Sequence, residues 1–304
     1  MVNGIVNVYK EKGFTSFDVV AKMRGIFHQK KIGHTGTLDP DAEGVLPVCL
    51  GKATRVCDLL TDKDKVYEAV LLLGQATDTQ DVTGAVLHQA DVDKSEAEIR
   101  KVMEQFVGEQ EQVPPMYSAL KVNGQKLCDL ARKGIEVERK SRKITVFSID
   151  ILKMNLPEVT IRVHCSKGTY IRTLCNDIGE ALGCYGCMKS LLRTKVDQFT
   201  LDQALTLGEI EQLVQSEQLD FVASVDSVFL KYPKGIAKET SQKLLYNGNR
   251  IPAQMVDLMK EQESGKCLED EEAKIRMYDW NNRFIGIYRL TRQKDFKPVK
   301  LFIE

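Results

Sequence analysis

From residue 33 the chain reads Gly33-His34-Thr35-Gly36-Thr37-Leu38-Asp39-Pro40-Asp41-Ala42-Glu43-Gly44-Val45-Leu46-Pro47. Three glycines free the backbone and two prolines each remove a donor, so the run argues against a long helix or a paired central strand. Proline also biases the residue before it away from helical dihedrals, which places Asp39 on an exposed turn. Loops carried by a rigid scaffold are where catalytic groups concentrate, although an Asp-Pro turn standing alone also has a purely structural reading. Gly51-Lys52-Ala53-Thr54, just beyond, is not a phosphate-binding P-loop. Six residues separate Gly44 from Gly51 where four are needed, and Ala53 stands where the magnesium-binding hydroxyl belongs.

The segments around this run have clear periods. Gly4 to Tyr9 reads as a strand, and Thr15 or Ser16 caps a helix with Val19, Met23, Ile26 and Phe27 at helical spacing. Val66 to Leu73 reads as a strand ended by Gly74, and by period alone Tyr67 is an ordinary sheet residue. Ser95 to Glu98 forms a capping box for a helix through Val102 and Phe106 that Gly108 stops. Lys143 to Ile151 and Glu158 to Cys165 alternate as two antiparallel strands. Ile171, Leu174, Ile178 and Leu182 then recur at helical spacing, and residues 200 to 216 look helical and peripheral. Beyond about residue 230 the composition shifts. A strand-helix unit over Pro233 to Gly248 precedes a charged stretch, Glu269-Asp270-Glu271-Glu272, and strands over Ile275 to Asp279 and Phe284 to Leu290.

Charge narrows the choice of partner. Lys+Arg and Asp+Glu balance at 43 each, so a nucleic-acid partner requires segregated positive charge. Residues 121 to 143 supply it, with eight basic residues against Asp129, Glu136 and Glu138, a local balance of +5. Such a run is either a solvated face or a surface that tracks phosphates. No signal peptide and no apolar stretch of membrane-spanning length is evident, which leads to the expectation of a cytoplasmic protein. Eight scattered cysteines read as reduced thiols. Cys184-Tyr185-Gly186-Cys187 lacks the second pair and nearby histidine that a zinc site needs, which leaves a redox pair or, the better reading, buried free thiols.

Gly33-His34-Thr35-Gly36-Thr37-Leu38-Asp39-Pro40 resembles the catalytic motif of the TruB family of tRNA pseudouridine synthases, and further blocks resemble that family in its order. Lys10, Gly13, Thr15 and Ser16 match its strand-to-helix signature, with Glu11 replacing a proline. Lys65-Val66-Tyr67, the Thr77 to Gly84 loop, Pro114 to Gly134, Gly168-Thr169-Tyr170-Ile171-Arg172 and Ser190-Leu191-Leu192-Arg193-Thr194 follow, with Leu192 replacing an arginine. The resemblance covers most of residues 4 to 200.

The resemblance implies an α+β fold. A pseudouridine-synthase core over residues 1–230 would carry a mixed, mainly antiparallel sheet flanked by helices and RNA-binding loops. Residues 231–304 would form a small β-rich PUA-like RNA-binding domain. The reaction implied is isomerisation of uridine 55 in the tRNA T loop by base flipping, acting as a monomer without cofactor or metal. Asp39, Tyr67 and Arg172 would be catalytic, Asp39 as the essential carboxylate, Arg172 holding it ionised, and Tyr67 stacking on the base and serving proton transfer. His34, Tyr67, Tyr170, Leu191 and Lys10 would bind the substrate, and Lys121, Lys126, Arg132 and Lys133 the RNA backbone. Two rivals are a tRNA chaperone without catalysis and a synthase for another RNA or another uridine.

Overall fold

The computed structural model describes residues 1–259 and 273–303, so the charged stretch from Glu269 to Glu272 lies outside the described residues. The architecture is α+β. Nine strands form the large sheet: Gly4–Lys10 (β1), Ile32–His34 (β2), Glu43–Leu50 (β3), Lys65–Leu73 (β4), Gly108–Gln112 (β5), Arg142–Asn155 (β6), Glu158–Cys165 (β7), Gly186–Val196 (β8) and Phe199–Thr200 (β9). Their order is β1-β3-β8-β4-β7-β6-β5, with β2 added to β3 and β9 to β8. All pairings are antiparallel except β3 with β8, so the sheet is mixed and mainly antiparallel.

The expected loop over 33–47 is therefore partly a strand, because Gly44 to Leu50 of β3 pair with the whole of β1. Pro47 is tolerated there for a local reason. Its carbonyl accepts from Thr35 N at 3.2 Å, on the side of β3 opposite β1. On that side the pairing with β8 involves only Glu43 and Gly44 and the pairing with β2 only Val48 to Leu50. The missing N–H thus faces a gap in the ladder. Gly44 is required for a different reason. Its φ is +104°, and a Cβ there would stand 2.3 Å from the Arg193 carbonyl on β8.

Helices cover both parts of the sheet. Ser16–Ile26 (α1) starts at Thr15, whose side chain and Asp18 form a reciprocal capping box. Val19, Val20 and Met23 turn inward onto Val6, Val8 and Val48, joined by Ile210 of Leu207–Gln215 (α4). Glu96–Glu104 (α2) has the expected Ser95–Glu98 box but ends before Gly108, which opens β5. Ile171–Leu182 (α3) buries Ile171, Leu174, Cys175, Ile178 and Leu182 against Leu71, Ile161 and Val163. No helix among the described residues is long and apolar enough to cross a membrane.

Among the described residues the C-terminal segment contributes a second sheet of six strands: Lys234–Ala237 (β10), Ile251–Pro252 (β11), Val256–Leu258 (β12), Lys274–Tyr278 (β13), Phe284–Leu290 (β14) and Asp295–Leu301 (β15). Its order is β11-β15-β14-β13-β10-β12. It has its own core around Ile275, Ile285, Tyr288 and Phe296. A further cluster spans both sheets, bringing Phe229, Ile287 and Phe302 against Ile5, Val45, Val196 and Phe199.

Candidate active site

Three chain segments meet at Asp39. The turn after β2 presents the carboxylate, and Ser16 on α1 braces it, its hydroxyl accepting from Leu38 N at 2.9 Å and donating to Leu38 O at 3.3 Å. The first turn of α3 presents Arg172. Tyr170, immediately before that helix, has no side-chain cap. Gln112 of β5 instead holds its backbone in place, accepting from Tyr170 N at 2.8 Å and donating to Tyr170 O at 3.1 Å. The third segment is the Thr77–Gly84 loop, stitched to β8 by Val82 N to Met188 O and Met188 N to Gln80 O, both 3.0 Å.

Arg172 Nε lies 3.0 Å from Asp39 Oδ2 and its Nη2 lies 3.3 Å from Asp39 Oδ1. The same guanidinium donates to Tyr117 O at 2.7 Å and Thr79 O at 3.2 Å, and stands 3.7 Å from Asp81 Oδ2. A cation at a helix N-terminus opposes the macrodipole, and two carboxylates with two carbonyls offset that here. Arg172 is buried, while 41% of the Asp39 side chain reaches solvent. Loss of hydration pushes the Asp39 carboxyl above its ordinary value, Asp81 and Asp41 add to the rise, and Arg172 and Lys10 pull it down. Arg172 thus orients Asp39 and, of the groups around it, does most to favour the ionised carboxylate against the loss of hydration.

Tyr67 on β4 lies buried in the cluster that holds Leu38, Ile171 and Met188, and Leu191 packs against that cluster from β8. Its register partner on β8 is Arg193, fully buried, which donates from Nε to Val45 O at 2.7 Å and from Nη2 to Gly36 O at 3.3 Å. Burial raises the pKa of the Tyr67 hydroxyl more than the Arg193 charge and hydrogen bond lower it, so the phenol keeps its proton at neutral pH. Burial likewise raises Tyr170, which is half-buried beside the pair. His34, also half-buried, accepts from Gly36 N at its Nδ1 over 3.3 Å. Burial and then Arg193 lower its pKa, so it is neutral.

Lys10 lies on the other side of the Asp39 turn from Arg172 in its bonding, meeting backbone carbonyls only. Its Nζ is buried and donates to Ala42 O at 2.6 Å, Pro40 O at 3.1 Å and Glu11 O at 3.2 Å. The ammonium thus holds the carbonyl side of the Asp39 turn, and a substrate contact, the role expected for Lys10, would have to come to a side chain that is buried here. Lys121, Lys126, Arg132 and Lys133 are all exposed, on the hairpin and one-turn helix that follow Tyr117.

Sequence reading missed Arg193 and Asp81 as site residues. Arg193 was hidden by a bulge: Arg193 faces Tyr67 and Lys195 faces Val66, leaving Thr194 extra, so strand alternation does not tell which cation turns inward. Asp81 carries a clearer signal, a Thr-x-Asp-x-Thr spacing, in which its Oδ1 accepts from Thr79 Oγ1 at 2.8 Å and Thr83 N at 3.0 Å.

A partly exposed carboxylate forked by a buried arginine, with Tyr67 and Tyr170 close by on a mixed sheet, is an arrangement suited to nucleophilic or proton-transfer chemistry. The sequence profile described as the TruB family pseudouridylate synthase N-terminal domain matches residues 24–171, and that of the tRNA pseudouridylate synthase B C-terminal domain matches residues 172–229. The chain belongs to the TruB family of pseudouridylate synthases. It is 56% identical over 312 residues to a tRNA pseudouridine synthase B of Lachnoclostridium phytofermentans, covering 99% of this chain and all of that one. A protein of the same name from Alkaliphilus oremlandii is 45% identical over 301 residues, covering 97% of this chain and all of that one. Among solved structures, a Cbf5-Nop10-Gar1 complex contains a chain with TM-score 0.72 and 26% identity, covering 99% of this chain and 85% of that one. A chain of an H/ACA RNP bound to a substrate RNA shares the fold at TM-score 0.71 and 24% identity, with the same coverage.

Proposed function

We propose that this chain isomerises uridine 55 in the T loop of tRNA to pseudouridine, with Asp39 as the reacting carboxylate. The observation that carries this reading is the two-nitrogen grip of Arg172 on Asp39, which fixes a partly exposed carboxylate in one orientation. In the reaction the C1′–N1 bond breaks, the uracil turns, and a C1′–C5 bond forms. The proton lost from C5 balances the one gained at N1. Nothing is oxidised and no group leaves, so one well-placed carboxylate, adding to C1′ or to C6, meets the chemical requirement.

The uridine must leave its stack to reach Asp39, at a cost of a few kcal/mol. Stacking on Tyr67 and contacts with Tyr170 and Leu191 offset that cost. Neutral His34 braces the vacated place. The exposed run carrying Lys121, Lys126, Arg132 and Lys133 follows the phosphates, residues 231–304 form an accessory RNA-binding unit, and the chain acts as a cytoplasmic monomer.

Incubating the purified protein with a tRNA transcript and mapping pseudouridine tests the whole reading. Asp39→Asn keeps the turn and removes the charge. It is expected to bind tRNA as the parent does and to form no pseudouridine. Turnover comparable to the parent's would refute the assignment.

A further inference from the structure

Phe17 is 64% exposed, the ring of a large apolar residue standing in water on the first turn of α1. The large apolar residues that follow it on the helix do not share this exposure. Ser16 is buried against Leu38, and Val19, Val20 and Met23 fill the core. The ring therefore contributes nothing to the packing that holds α1 in place. Two turns further on, on the same face of the helix, Arg24 lies with its guanidinium carbon 5.8 Å from the Phe17 ring centroid. Arg24 Nε donates to Lys30 O at 3.1 Å, which steadies the cation beside the ring. Ala21, between them on that face, is exposed and too small to interrupt it.

Two further observations connect this ledge with the catalytic turn. The Ser16 hydroxyl exchanges hydrogen bonds with both backbone groups of Leu38, so Phe17 and Asp39 are each one residue from the joint. Gly13 N also donates to Pro40 O at 2.9 Å, fastening the loop before α1 to the far side of the same turn. The surroundings are basic: Lys12, Lys22, Arg24, Lys30 and Lys31, all exposed, stand against Glu11 and Asp18. Asp18 is already committed to the capping box.

We propose that Phe17 and Arg24 form a ledge for a nucleotide of the RNA close to the target uridine, with the ring stacking on its base and the guanidinium meeting its phosphate. This rests on the function proposed above and adds a subsite outside the cleft that takes the flipped base. An exposed aromatic face with an adjoining cation is sequence-tolerant toward bases, so the ledge secures the RNA and leaves the choice of base to other contacts.

The test uses the full chain and a fluorescent T-arm hairpin RNA, with binding measured by anisotropy and turnover separately. Phe17→Ala is expected to weaken binding about tenfold, within the range for loss of one stacked base, with kcat on saturating hairpin and the melting temperature unchanged. Phe17→Trp should restore the affinity. Arg24→Gln should reduce the slope of log affinity against log salt by about one, whereas Phe17→Ala should leave the slope alone. Unchanged affinity in Phe17→Ala overturns the ledge, as does a fall in kcat without a change in affinity. A parent chain that binds the hairpin through Phe17 and forms no pseudouridine overturns the catalytic reading instead.

Discussion

Arg172 meets Asp39 through two nitrogens, Nε at 3.0 Å from Oδ2 and Nη2 at 3.3 Å from Oδ1, and holds two backbone carbonyls with the rest of its fork. One planar group thereby joins the catalytic turn, the Thr77–Gly84 loop and the segment at Tyr117. Lysine would keep the charge but could not reproduce this geometry. Arg172→Lys is expected to lower kcat about a hundredfold, the order of loss that follows a misplacement of about 1 Å, with a smaller change in KM. Single-turnover measurements with saturating enzyme check this, and a rate within threefold of the parent's would show that orientation by the fork is not needed.

Asp81 bears on the same pair by its charge. Loss of hydration and the Asp81 carboxylate both raise the Asp39 pKa. With Asp39 as the proposed reacting carboxylate, the ionised form is the competent one, so activity is expected above the Asp39 pKa and should be lost as pH falls through it. Asp81→Asn removes a raising influence and should move the acid limb of the kcat/KM profile to lower pH. The variant should also turn over more slowly, because Asp81 Oδ1 holds Thr79 and Thr83 and so shapes the loop whose carbonyl receives Arg172. A limb that stays in place or moves upward would separate the acid limb from Asp39.

Much of this site was legible because its parts lie in short local patterns. The capping boxes at Thr15 and Ser95 and the periods of α1, α3 and β4 are set by residues within one or two turns of one another. What resisted reading depends on partners far away in the chain. Pro47 lies in a strand only because two different neighbours leave a gap opposite it. Arg193 points inward because of a bulge, and Lys10 is buried because three carbonyls converge on it. The division near residue 230 is similarly blurred. Phe229, before it, packs with Phe284 and Phe302, after it, at centroid separations of 6.1 and 6.0 Å. No local composition shift reveals such a contact.

Lys10 gives a pH-dependent prediction about stability. Burial lowers its pKa to about 8, against an ordinary value of 10.5. The unfolded chain therefore binds this proton more tightly. The contribution of Lys10 to stability is fully present above pH 10.5 and is lost as pH falls through about 8. Lys10→Met leaves the Pro40 and Ala42 carbonyls without their donor and should reduce stability by about 1–3 kcal/mol at high pH. The deficit should shrink toward pH 7, where the parent must bury a charge that the variant lacks. Urea denaturation of both proteins at pH 7 and at pH 10 measures the difference, and a larger deficit at pH 7 would contradict it.

The basic segment after Tyr117 gives a prediction that a purely solvated face does not make. Lys121–Val122 and Gln125–Lys126 form a hairpin across Asn123 and Gly124, which both have positive φ, +51° and +81°, as a tight two-residue turn demands. The turn projects Lys121 and Lys126 into solvent, and the next turn of chain carries Arg132 and Lys133. Arg132 lies 3.4 Å from Asp129, but both side chains are largely exposed, and such a pair is worth too little to withhold the guanidinium from a phosphate. Each phosphate contact releases about one counterion, so each one lost removes about 0.9 from the slope of log affinity against log salt on a duplex stem and about 0.7 on single-stranded RNA. Replacing Lys126, Arg132 and Lys133 together with glutamine should therefore weaken tRNA binding and flatten the slope by about two to three. At saturating tRNA, kcat should remain near the parent's, because none of the three reaches Asp39. Binding isotherms at four or five salt concentrations give the slope directly, and parallel lines for parent and variant would mean that this run touches no phosphate.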